Sequence, residues 1–357
     1  LVGDSQRWGL SVDHATADVA QTVIEGNRGL GVYVGASTVT MEGVQVLDTR
    51  PDEDHEYGYG IQVSDQSSLT LTDCLLQDNH LIGLGVKDSS VSLDGVQILG
   101  TTRGIGASAG FGLISQESAQ VIATDLQVQG TDGPGIYAVL GGRVECTDCT
   151  LSDNAFAGAA AQTGGALVVQ GSLVEGTTAE ANNGGGVGVF VDDRYQDWGG
   201  SPSLTLTDST VQDNEMAAIY LRGAGAYQLT GNELTGGPGL GTDRPAWTHG
   251  DAVFVTTGDT NPTSWDEEEQ LGVLLQDNAF TGSAGAGVFL DGAGATLTGN
   301  TYEGNTTDLV WQACDGVDSP EGLDTEALAT TELCPDHDHH AQTLELDVQL
   351  LEALASQ

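Results

Sequence analysis

The chain has 357 residues, 52 of them Gly and 8 Pro, with 39% hydrophobic and 5% aromatic side chains. Its 9 Lys and Arg stand against 52 Asp and Glu, a net charge of −43. Such a surface repels phosphate backbones and anionic lipid, which excludes nucleic acid and acidic membranes as partners. No stretch approaches 18 unbroken apolar residues, which excludes a membrane-spanning helix.

From the N-terminus, residues 1–25 carry Gly9-Leu-Ser-Val12 and Thr22-Val-Ile24, a degenerate copy of a pattern that then repeats. Its clearest member is Thr207-Asp208-Ser209-Thr210-Val211-Gln212-Asp213-Asn214. The closing Asp or Gly recurs at Gly26, Asp48, Asp78, Gly100, Gly130, Asp153, Gly176, Asp213, Gly236, Gly282 and Gly304. These residue types accept a sharp turn. Two residues earlier sits an apolar side chain: Ile24, Val46, Leu76, Ile98, Val128, Leu151, Val174, Val211, Leu234, Phe280, Tyr302. The spacing has a floor of 22–23 residues, with longer gaps where segments are inserted. A fixed period of this size marks a solenoid.

Within each unit three short alternating runs appear, with no helical periodicity. The first reads Gly31-Val-Tyr-Val34, Gly60-Ile-Gln-Val63, Gly83-Leu-Gly-Val86 and, further on, Gly186-Val-Gly-Val189. The second holds pairs such as Leu69/Leu71 and Leu204/Leu206, and the third is the turn-ending template itself. Three strands per 22–23 residues predict an all-β, right-handed parallel β-helix of about eleven coils over residues 1–312. Residues 313–357 form a C-terminal capping segment. An open β-helix end is an exposed sheet edge, so upstream coils or a partner are expected to cover the N-terminal end.

Three regions interrupt the coils before the cap. Residues 49–59 are an acidic insertion read as a solvated loop, and residues 104–110 a Gly/Ala-rich one. Arg103 and Lys87, on neighbouring coils, read as isolated solvated cations. Between 187 and 270 the insertions crowd. Residues 192–200 and 257–269 leave the bend between strands one and two, on one side of the helix, with Arg222 on the coil between them. Residues 236–250 leave a different corner. Tyr195, Trp198 and Trp265 supply aromatic faces suited to sugar rings, and loops on a rigid scaffold are where sites sit. Tyr195, Trp198, Arg222 and Trp265 are therefore candidate ligand-binding residues. Asp192, Asp193, Asp259 and Asp266 are candidate catalytic carboxylates, since glycosidic cleavage needs two carboxyls facing one groove.

The remaining polar residues have mostly structural readings. Asn232, Asn278 and Asn300 should stack inward on successive coils and hydrogen-bond along the axis. Cys74 and Cys149 occupy the same inward column, too far apart to bond to each other. Cys146-Thr-Asp-Cys149 is read as buried thiols or a local disulfide, because no second pair completes a zinc site. Cys314 and Cys334 flank a loop after the last coil and are read as a disulfide, which implies an oxidising exterior. Asp336, His337, Asp338, His339 and His340 form a candidate transition-metal tract. No cofactor is required; the carboxylates are read either as a solvated surface or as ligands that gather Ca²⁺.

The strand triplet, the Asp/Gly–Asn/Thr turn and the Asn column resemble the pectate-lyase-like right-handed β-helix superfamily over about residues 9–312. They are closer still to the repeat regions of secreted or surface-anchored bacterial proteins. That superfamily holds lyases, hydrolases, epimerases, tailspikes and adhesins, so fold alone does not choose a function. Asp54-His55-Glu56 resembles the acid-His-acid sites of β-helix uronan epimerases but lacks the usual proline. The Asn-Thr-Asp and Gly-His-Gly motifs of polygalacturonases and the Arg-x-Pro-x-x-Arg of pectate lyases are missing. The expectation is a non-enzymatic secreted or cell-surface β-helix that binds a polysaccharide or other surface partner, or acts as a spacer. The alternative is a polysaccharide-active lyase, hydrolase or epimerase using the carboxylates on 192–200 and 257–269.

Overall fold

The computed structural model describes residues 2–5, 7–52, 57–104, 109–180, 184–193, 200–223, 225–238, 250–256, 272–291, 293, 295–312 and 328–330. They form three long parallel sheets of 13, 11 and 12 strands, and the chain visits the three in turn. One coil shows the plan: a six-residue strand Tyr59–Ser64, a five-residue strand Ser68–Thr72, and a three-residue strand Leu75–Gln77. We call the resulting sheets long, middle and short. Eleven complete coils follow one another, as the period predicts, and Leu328–Thr330 pairs with Thr307–Gln312 as one further strand of the long sheet. At about 4.8 Å per coil the eleven span roughly 50 Å. No helix among the described residues is long and apolar enough to cross a membrane.

The predicted inward column is in register from coil to coil. Val46, Leu76, Ile98 and Val128 are direct partners in the short sheet, and the column continues through Val211, Leu234 and Phe280 to Tyr302. All but Tyr302 are fully buried. Together with the inward residues of the other two sheets they make one continuous apolar interior. One run of the long sheet differs from the sequence reading. Val189 pairs with Ala159 and Phe190 with Ala160, so the unit in register is Gly188-Val-Phe-Val191, two residues beyond Gly186-Val-Gly-Val189. The Gly-Val-Gly-Val run is itself periodic by two, and alternation alone cannot set its register.

Most of the described corners turn on a residue in the left-handed region. In the series that closes the short strand, Asp48, Asp78, Asp153 and Asp213 have φ of 50–54° and Gly26, Gly100, Gly130, Gly176, Gly282 and Gly304 of 62–70°. Gly236 is the exception, and there the insertion begins. Twelve of the 23 described non-glycine residues with positive φ are aspartates, because a short polar side chain tolerates this conformation. Part of the acidity is therefore a consequence of corner geometry. Asp and Gly also answer each other between coils. The Asp153 Oδ1 lies 2.7 Å from where a Cβ on Gly176 would stand, so the carboxylate fills the space that the glycine leaves.

Three polar ladders line the corners from inside. The Asn column is as expected: Asn278 Oδ1 accepts from the Asn232 amide at 3.0 Å, Asn300 Oδ1 from Asn278 at 2.9 Å, and the side-chain amides also link directly at 2.9 and 3.2 Å. A second ladder uses the residue after the Asp/Gly turn. Asn79 Oδ1 accepts from the Thr49 amide and its Nδ2 donates to the Val46 carbonyl, and Asn154 and Asn214 do the same on their coils. A third runs through Ser37, Ser67 and Ser89, whose hydroxyls accept backbone amides of the preceding coil at 3.0–3.1 Å. Strands end at each corner and leave amides that only side chains can satisfy. Within the cysteine set, Cys146 and Cys149 form a disulfide in the core, resolving the two sequence readings. Cys74 is a buried free thiol whose pKa is raised by desolvation.

Candidate functional site

The candidate site lies on the outer face of the long sheet. Its central outward column runs Tyr33, Gln62, Gly85, Ile114, Tyr137, Ala160, Phe190, Tyr220, Phe254 and Phe289. From Phe190 onward the rings stack at 5.2–5.5 Å between centroids, and Phe190, Tyr220 and Phe254 are buried. Between Tyr33 and Tyr137 the column has no ring. Gly85 contributes no side chain, and Gln62 lies across it, its Oε1 2.5 Å from the place a Cβ would take. The missing rings leave an open groove of about 730 Å³ across the first five coils.

The two long walls of the groove differ. On the side where the chain enters the long sheet, Leu30, Tyr59 and Ile82 form an apolar floor, and Trp8, Tyr57, Arg7 and Asp52 border it. Trp8 is 46% exposed and stacks on Tyr33 at 5.2 Å; Tyr57 meets Tyr59 edge-on at 5.6 Å. Tyr57 holds a φ of 63°, a costly conformation for a bulky residue and one that collects at functional sites. On the opposite side the corner residues Asp65, Asp88 and Glu117 place three carboxylates on successive coils. Asp65 accepts hydrogen bonds from the Tyr33 hydroxyl at 3.0 Å and the Ser64 hydroxyl at 2.9 Å. The Ser64 contact lowers the Tyr33 pKa, but burial and the Asp65 carboxylate outweigh it, so the phenol is raised above its ordinary value. Lys87 lies 3.1 Å from Glu117, so it is paired, whereas the sequence reads it as isolated. Gln116, 7% exposed, lines the floor with no hydrogen-bond partner at its Oε1.

The residues singled out from the sequence lie elsewhere. Asp192 and Arg222 are paired neighbours in the next outward column of the same sheet, 0% and 5% exposed. Asp192 accepts a 3.4 Å hydrogen bond from Gln162, whose Oε1 accepts the Tyr137 hydroxyl at 2.6 Å. Asp193 is buried as well. Tyr195, Trp198, Asp259, Trp265, Asp266, Cys314, Cys334 and the tract 336–340 lie outside the described residues, as does Asp54-His55-Glu56. Among the described residues no group of three or more His, Cys, Asp or Glu is placed to hold a metal ion. The sequence did contain a signal for the groove: the third residue of the runs at 60–63 and 83–86 reads Gln and Gly where those at 31–34, 135–138 and 218–221 read Tyr. Only the register shows that this position faces outward on one sheet.

Comparison with known proteins bears on the fold. No curated protein matches the sequence. The periplasmic alginate epimerase AlgG has a similar structure, with 11% identity over 90% of this chain and 73% of that one and a TM-score of 0.45. HetL, a pentapeptide repeat protein from the cyanobacterium Nostoc sp. strain PCC 7120, is more distant at 10% identity, 89% and 92% coverage and a TM-score of 0.21. The model of the right-handed β-helix region matches residues 8–196, and the chain belongs to that family.

Proposed function

We propose that the protein is a non-enzymatic, glycan-binding β-helix displayed outside the cytoplasm, with the groove between Trp8 and Gln116 as its binding site. The observation that carries this reading is the gap in the aromatic column. A scaffold needs no such gap, and here it opens a cleft with rings at one end, an apolar floor and a polar rim. Concave sites of this composition are where small polyhydroxylated ligands bind, their apolar faces on rings and their hydroxyls on polar groups. Five coils give the cleft roughly 19 Å of length, enough for a short oligosaccharide. The buried Cys146–Cys149 disulfide supports an oxidising compartment.

A glycan array followed by titration calorimetry tests the proposal. Trp8→Ala should weaken binding at least tenfold. Gly85→Tyr should abolish it by restoring the ring that the column lacks. Unchanged binding in Gly85→Tyr would place the ligand elsewhere. A hydrolytic reading would draw on Asp65 and Asp88, which stand on adjacent coils of one wall of the groove. That reading requires release of reducing ends from the bound glycan, abolished by Asp65→Asn or Asp88→Asn.

A further inference from the structure

Resting on the glycan-binding reading, the charges around the groove select among glycans. Among the described residues four carboxylates line it, Asp52, Asp65, Asp88 and Glu117, against two cations, Arg7 and Lys87. Lys87 is already held by Glu117 at 3.1 Å. Asp65 receives hydroxyl donors, from Tyr33 and Ser64, and has no cationic partner among the described residues. The floor adds one more acceptor, the unpaired Oε1 of the buried Gln116. The site is therefore rich in acceptors and negative in sum, on a chain whose net charge is −43.

A uronate would bring further acceptors and like charge to this rim, and like-charge juxtaposition is a standard device for rejecting a ligand. An ammonium brings donors and positive charge. It also gains from the two aromatic pairs at the opposite wall, Trp8 with Tyr33 and Tyr57 with Tyr59, whose ring faces attract cations. We propose that the groove takes amino-sugar oligomers with free amines in preference to neutral glycans and excludes uronate oligomers.

The test measures binding of the full chain to three oligosaccharides of equal length: a glucosamine oligomer, a neutral glucose oligomer and an oligouronate. It is run at a pH where the amines are charged and over a range of salt. The glucosamine oligomer should bind at least tenfold tighter than the neutral one, with the oligouronate showing no binding. Asp65→Asn with Asp88→Asn should shrink that preference severalfold, weakening the glucosamine oligomer more than the neutral one. Because the whole surface is acidic, Gly85→Tyr is the control. It should remove the preference, and a preference that survives it would show general attraction of a polycation and overturn the inference. Oligouronate binding as tight as neutral binding would overturn the inference and leave glycan binding standing. Failure of all three to bind would overturn both.

Discussion

One face of one sheet is used in two ways. Over the first five coils the outward column of the long sheet reads Ser11, Tyr33, Gln62, Gly85, Ile114, and the face is open. Over the later coils it reads Phe190, Tyr220, Phe254, Phe289, and the rings are stacked and largely buried. The backbone beneath is the same in both halves. The side chains at this position differ between the halves, and the cleft lies where Gln62 and Gly85 stand in place of rings. The later half buries charges as well as rings, among them Asp192, Arg222, Asp251 and Asp291, whereas Asp65 and Asp88 of the groove rim remain in water.

The contrast breaks most severely at the rings. Phe254→Ala removes a buried ring with stacking partners on both sides and should cost about 3–5 kcal/mol in chemical denaturation, against less than about 0.5 kcal/mol for Gln62→Ala in the same column. Equal costs at the two sites would mean that the two halves are not packed differently.

The next effect concerns buried charge. Burial raises the Asp251 carboxyl to about 6, against the opposing hydrogen bond from the Ala286 amide at 2.6 Å. The folded-state value lies above the ordinary 3.8, so the folded form holds the proton more tightly than the unfolded chain. The associated stability is fully present below about pH 4 and is lost as pH rises through about 6, a change of about 3 kcal/mol. Asp251→Asn should flatten that slope in melting curves taken from pH 4 to pH 8, whereas Asp88→Asn, on the exposed rim, should leave it in place.

A smaller effect tests the corners. Gly176→Ala forces a Cβ onto a left-handed residue and against the Asp153 carboxylate, and should cost about 1–2 kcal/mol or slightly more. A Tm equal to that of the parent would remove the link between the aspartates and the turns. Smallest of all is the effect of Gly85→Tyr on stability. Its backbone is ordinary strand, and the first atom that a new side chain meets is the movable end of Gln62, so denaturation should shift by less than about 1 kcal/mol. A variant that keeps its stability while losing glycan binding would separate the groove's function from its scaffold.

The coil count, the inward apolar column, the Asn stack and the buried state of Cys74 were all legible in the sequence. Each depends on a pattern repeated every 22–23 residues, and repetition lets local preference be read many times over: Asp and Gly for left-handed corners, alternation for strands, amides for unsatisfied backbone. The ladder through Asn79, Asn154 and Asn214 was half legible. Asn stands directly after several of the turns, but its inward direction depends on the corner geometry. The groove was not legible, since Tyr33, Gln62 and Gly85 are 29 and 23 residues apart and become neighbours only when three coils stack in register. Tyr57 and Asp52 come from an insertion that reads as a solvated loop, yet both line the same cleft as Trp8. Sequence determined the solenoid because its forces are local and periodic. Tertiary structure alone decided where the site lies, because a cleft is made by what neighbouring coils leave empty, and an absent ring has meaning only beside the rings that surround it.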